Sequence, residues 1–235
     1  HRLISAMLDI LPRIDQLSEG QIGHVRDALF HANHPYMMVF VGPFSSGKSS
    51  IVNAILGQRD LLRTGPTPTT DRITVIRWGE EAGQMESGGD VDTVFYPSPL
   101  LRQVSFVDTP GLESTITSHE DTTQAYLHHA DVVILVMLAT QAMTARNADY
   151  LRQFKQYGKK VIIAVNQTDL INLEEIQTVK AYVAEQAQQV LGTQPEVWMI
   201  STRDAWDVRE AGEVGLTAWK NTGLHHFEQY IQQQL

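Results

Sequence analysis

The sequence predicts an α/β fold, with a mostly parallel central sheet, helices on both of its faces, and flanking N-terminal helices. Three observations predict it. Short runs that are apolar on both faces recur along the chain, and helical stretches alternate with them. A glycine-bracketed loop joins the first such run to the next helix. Strands buried on both faces need crossover connections, and so pair in parallel.

Taken in order, residues 2–32 read as helix. Leu3, Ile4, Met7, Leu8 and Leu11 repeat at helical spacing, and Ile22, Val25, Leu29 and Phe30 continue the pattern beyond Pro12. Pro35 ends this region, and "YMMVFV" opens the core as a strand. Further strands are predicted at 72–78, 104–107, 131–137, 160–165 and 196–200, with helices at 48–57, 120–129, 144–157, 174–191 and 223–234. The loop "GEEAGQMESGGDVD" at 79–92 is glycine-rich and acidic, and reads as a mobile excursion within one domain. A helical segment over 1–35 and a core over 36–235 follow, the segment packing as a bundle with the C-terminal helix.

Composition narrows the function. With 43% hydrophobic residues in 235, the chain can bury one sizeable core. The net charge of −9 opposes a nucleic-acid platform, because phosphate neutralisation supplies most such affinity. No nucleic-acid partner is expected. The absence of cysteine excludes disulfides and fits a reducing compartment. No apolar run reaches the roughly 20 residues that span a bilayer; "DVVILVMLA" at 131–139 has the length of a buried strand. The chain opens at His1 without a Met and reads as a segment of a larger parent. His128–His129 and His225–His226 read as surface or interface residues, since neighbours on a helix diverge by about 100°. His24, His31 and His34 lack a carboxylate pattern for a metal.

Chemistry is concentrated in four short motifs. "GPFSSGKS" at 42–49 fits GxxxxGK[ST] between a strand and a helix. Gly47 lets backbone N–H groups close on the β-phosphate, Lys48 neutralises β and γ oxygens, and the Ser49 hydroxyl ligates Mg²⁺. Gly42, Ser45, Ser46 and Ser50 complete this nucleotide-binding stretch, with the helix N-terminus aimed at the anion. Such a loop binds ATP or GTP. In "VSFVDTPG", Asp108 ends a strand where it can hold the Mg²⁺ shell through water, and the Gly111 N–H can sense the γ-phosphate. In "VIIAVNQTDL", Asn166, Gln167 and Asp169 end another strand; a carboxylate there accepts both the N1–H and the exocyclic amine of guanine. Adenine offers the opposite pattern and would strand a buried charge. "WMISTRD" then places Ser201 and Thr202 where a loop could close over the base.

Together, "GPFSSGKS", "DTPG", "NQTD" and "IST" resemble the P-loop GTPases. Finer details resemble the dynamin superfamily, above all bacterial dynamin-like proteins. "GPFSSGKSS" has their GxxSxGKSS pattern, "PTPTT" leads directly into "ITVIRWG" like their switch I, and Leu112 stands where small Ras-like GTPases carry a water-positioning glutamine. The resemblance implies GTP hydrolysis to GDP with Mg²⁺. Thr70 closes over the metal, with Thr69 as runner-up. Ser45, Lys48, Thr70 and Gly111 are the implied catalytic set, and Ser49, Thr70 and Asp108 the metal set. Ser45 would help hold a monovalent cation, K⁺ or Na⁺, or receive a contact from a second copy. The implied partners are a second GTPase domain across the nucleotide and membrane lipid reached through a larger parent, cytoplasmic and peripheral to a membrane. Gln167 departs from the usual lysine of NKxD, and Pro43 stiffens the loop. An Era-like ribosome or RNA factor and a non-catalytic GTP-binding scaffold are the alternatives.

Overall fold

The computed structural model describes residues 35–65, 72–86, 91–111, 118–212 and 215–234. The helices expected over 2–32, and their packing on the C-terminal helix, lie outside these residues. So do Thr69, Thr70 and Leu112.

The elements run β1 (Tyr36–Val41), α1 (Lys48–Leu56), β2 (Ile73–Trp78), β3 (Gly83–Glu86), β4 (Val91–Tyr96) and β5 (Val104–Asp108). They continue as α2 (Ser118–His129), β6 (Val132–Leu138), α3 (Ala145–Gln156), β7 (Lys160–Asn166) and α4 (Leu173–Leu191). Last come β8 (Glu196–Met199), α5 (Thr202–Glu210), α6 (Leu216–Asn221) and α7 (His225–Gln234). The strands form one sheet in the order β3-β4-β2-β5-β1-β6-β7-β8. β1 pairs in parallel with β5 and β6, as do β6 with β7, β7 with β8, and β2 with β4. Only β2–β5 and β3–β4 are antiparallel among the described strands.

Alternation along each strand builds a core on both faces of the sheet. Met38 and Phe40 point to one face, where Phe106, Trp198 and Phe227 pack with Ile51 and Val52 of α1. Met37, Val39 and Val41 point to the other, against Leu151 and Phe154 of α3 and Val183 and Ala187 of α4. β1 is thus buried between two parallel neighbours, and its carboxyl end opens where ligands of open α/β sheets bind.

Two expectations are corrected. Residues 79–92 are not one loop: β3 and the start of β4 form an antiparallel pair there, with residues 87–90 outside the described set. β3 is an edge strand with Gln84 and Met85 exposed, so no apolar face announced it. The segment after Ser201 is also no loop. It is α5, whose Ser201 cap accepts from the Asp204 N–H at 3.0 Å.

Candidate functional site

The loop between β1 and α1 wraps from Gly42 to Gly47 at the carboxyl edge of the sheet. Gly47 has φ 93°, and a Cβ there would lie 2.1 Å from the Asn166 amide nitrogen, so only glycine fits. Lys48 is buried, and its ammonium donates to the carbonyls of Gly42 at 3.1 Å and Pro43 at 3.0 Å. These carbonyls hold the cation in the loop at the place where phosphate oxygens would meet it.

Ser49 Oγ donates to Asp108 Oδ2 at 2.6 Å. Asp108 is 1% exposed, and its other oxygen, Oδ1, has no hydrogen-bond donor among the described residues. Burial pushes the carboxyl up to about 6, against the opposing pull of Lys48 and Ser49. A buried carboxylate with one undonated oxygen, beside a hydroxyl on a helix N-terminus, is the donor set that a hydrated hard cation requires. The residues fit Mg²⁺.

The other end of the site is built where β7 and β8 finish. Asn166, 1% exposed, donates from Nδ2 to the Ser46 carbonyl at 3.0 Å, while its Oδ1 faces the Thr202 N–H and hydroxyl, each at 3.4 Å. One side chain thereby ties the phosphate loop to the start of α5. Asp169 Oδ1 accepts from the Ser201 hydroxyl at 3.2 Å, and Arg203 lies 3.9 Å from Oδ2. The Ser201 hydroxyl thereby orients the carboxylate.

A cleft of about 270 Å³ joins the two ends. Of the motif residues, Ser45, Gly47, Lys48, Ser49, Ser50, Gly111, Asn166, Gln167 and Thr202 line it. Gly42, Ser46, Asp108, Asp169 and Ser201 are not on its lining: Gly42 and Ser46 contribute carbonyls to Lys48 and Asn166, the Ser46 hydroxyl is fully buried, and Asp108 and Asp169 meet the hydroxyls of Ser49 and Ser201. Three lining residues were missed: Phe44, Thr64 and Gly65. Phe44 falls on a position the motif leaves open, yet it packs closely on Gly111. A Cβ on Gly111 would lie 2.9 Å from the Phe44 Cα.

Comparison with known proteins agrees with this geometry. The chain is 29% identical over 209 residues to an Arabidopsis thaliana protein named probable transmembrane GTPase FZO-like, chloroplastic, covering 86% of this chain and 23% of that one. It is 29% identical over 184 residues to dynamin-like protein 2 of Campylobacter jejuni, covering 67% of this chain and 30% of the relative. The chain thus spans less than a third of the length of these relatives. The fold superposes on a solved bacterial dynamin with a TM-score of 0.72 at 19% identity, over 100% of this chain and 42% of the other. That structure is described as an oligomerised dynamin pair giving a mechanism for long-range sensing and tethering of membranes. Residues 37–167, more than half of the chain, match the sequence model of the family described as 50S ribosome-binding GTPase, and to that family of P-loop GTPases this chain belongs.

Proposed function

We propose that this chain is the GTP-hydrolysing domain of a dynamin-like protein, in which GTP-dependent self-association does work on a membrane. One observation carries the reading: the phosphate loop lines a cleft that reaches Asn166, Gln167 and Thr202, and beside them the Ser201 hydroxyl holds the Asp169 carboxylate, which we assign to guanine.

Phosphoryl transfer asks for positioning and charge stabilisation rather than covalent chemistry from the protein. GTP lays its phosphates over the loop amides, and the Lys48 ammonium exchanges its loop carbonyls for phosphate oxygens. Asp169 takes the guanine N1–H and exocyclic amine, while Ser201 keeps that carboxylate oriented. Ser49, Thr70 and, through water, Asp108 would hold Mg²⁺, which when bound neutralises charge on the β and γ oxygens. The Gly111 N–H receives a γ-phosphate oxygen. Leu112 cannot orient water, so main-chain groups of the switches place the nucleophile. Ser45, exposed at the mouth of the loop, would help hold a monovalent cation or receive a contact from a second copy.

If association favours the transition state, a mimic of that state favours the dimer by the same free energy. Sedimentation should therefore find monomer with GDP and dimer with GDP–aluminium fluoride, and specific activity should rise with protein concentration. Monomer in the fluoride complex together with concentration-independent turnover overturns the self-association. Salt-sensitive binding of RNA by the purified chain would favour a ribosome factor instead, against its net charge of −9.

A further inference from the structure

Thr109 follows Asp108 directly and is fully buried, although the chain has already left β5 there. Its hydroxyl donates to the Phe40 carbonyl at 2.8 Å, across 69 residues of sequence. The β1–β5 ladder keeps its register up to the pair Phe40–Asp108. Beyond that pair Pro110 has no N–H with which to extend a ladder, and the Thr109 hydroxyl ties the two chain segments there.

The acceptor is a fixed point. Phe40 is fully buried in β1, its ring stacked on Phe227 at 5.9 Å and edge-on to Phe106 at 5.7 Å. Two residues later Gly42 opens the phosphate loop, and its carbonyl accepts from Lys48. The residues on either side of Thr109 meet the same loop and the helix that follows it. Asp108 accepts from the Ser49 hydroxyl, and Gly111 lies so close to Phe44 that a Cβ would stand 3.0 Å from the Phe44 nitrogen. Ser49 and Gly111 line the cleft, where a ligand can reach them; Thr109 does not, and its hydroxyl meets protein.

We propose that Thr109 is a positioning residue for GTP hydrolysis. Its hydroxyl sets the carboxyl end of β5 against the start of the phosphate loop, so that the Asp108 carboxylate and the Gly111 N–H stand in place before a nucleotide arrives. This role rests on the tasks given above to Asp108 and Gly111, and involves no contact with the nucleotide. Without the bond, the two groups that meet charge on the metal and the γ-phosphate shift. The loop amides and Asp169, which hold GDP, keep their places.

The test compares phosphate release at saturating GTP with GDP binding in EDTA, which leaves the metal out. Thr109→Val keeps the side-chain shape and removes the donor. Its kcat should fall about tenfold while GDP affinity stays within about twofold, and Thr109→Ser, which keeps the hydroxyl, should restore turnover. Thr109→Ala makes the same comparison without a methyl against the Phe40 carbonyl, should Thr109→Val melt below the assay temperature. Parental turnover without the hydroxyl, equal losses of turnover and GDP affinity, or no recovery in Thr109→Ser each overturns the proposal. Asp108→Asn tests the underlying roles: parental turnover there removes the metal role and the positioning role together. Lost turnover in Asp108→Asn beside parental turnover in Thr109→Val overturns Thr109 alone.

Discussion

Ser45 and Gln167 are the two non-glycine residues with positive φ among the described residues, at 58° and 63°, and both line the nucleotide cleft. Side chains pay about 1 kcal/mol for that left-handed conformation. Ser45→Gly removes the strain along with the hydroxyl. It should leave thermal stability within about 1 kcal/mol of the parent while lowering GTP turnover; melting curves beside a phosphate-release assay would check both. Asp169 gives a sharper expectation. Asp169→Asn should weaken guanine nucleotides by about 100-fold and accept xanthine nucleotides, whose 2-oxo group takes a hydrogen bond from the new amide. Competition by XDP and GDP against a fluorescent nucleotide measures it, and unchanged preference for GDP would remove Asp169 from the base site. Both residues were visible in the sequence because their motifs fix type and spacing. Phe44 was not: its role comes from where Gly111 returns in space, 67 residues later.

At the scale of elements, Asn53 shows how one helix holds a loop. It is 1% exposed within α1; its amide donates to the carbonyls of Arg59 at 2.7 Å and Leu62 at 2.8 Å, and its Oδ1 accepts from the Leu62 N–H at 2.9 Å. The clamp sets the path of the chain towards Thr64 and Gly65 on the cleft. Asn53→Ala leaves buried groups unpaired, and should cost about 2–3 kcal/mol of stability by denaturant unfolding and loosen nucleotide binding further. The long, apolar strands β1, β6 and β7 were legible because burial on both faces leaves an unbroken run. β3 and β4 were not, because an edge pair needs little apolar surface and its glycines read as a loop. α5 carried a readable signal in Ser201 and Asp204, three residues apart, but its sequence "TRDAWDVRE" holds few apolar residues.

Across the whole molecule, acid should act through His226. Burial first, then the charges of His225 and Lys180, hold its imidazole down at about 4, against an ordinary 6.5. Between those values the unfolded chain binds more protons than the folded one. The stability is therefore fully present above pH 6.5 and falls as the pH drops towards 4. His226→Gln should show a shallower loss of melting temperature over that window, and equal slopes would show that His226 does not govern it. The Asp108 carboxyl, raised to about 6, contributes with opposite sign but equally in both proteins, so their difference isolates the histidine. Asn166 has a different consequence. Its two hydrogen-bonding ends join Ser46 to Thr202, so the two halves of the cleft share one strut. A ligand cut into two pieces would meet halves that preorganise each other. Pyrophosphate should bind more tightly when guanosine is already present, and guanosine more tightly with pyrophosphate, by the same factor. Asn166→Ala would turn this synergy between fragments into independent binding.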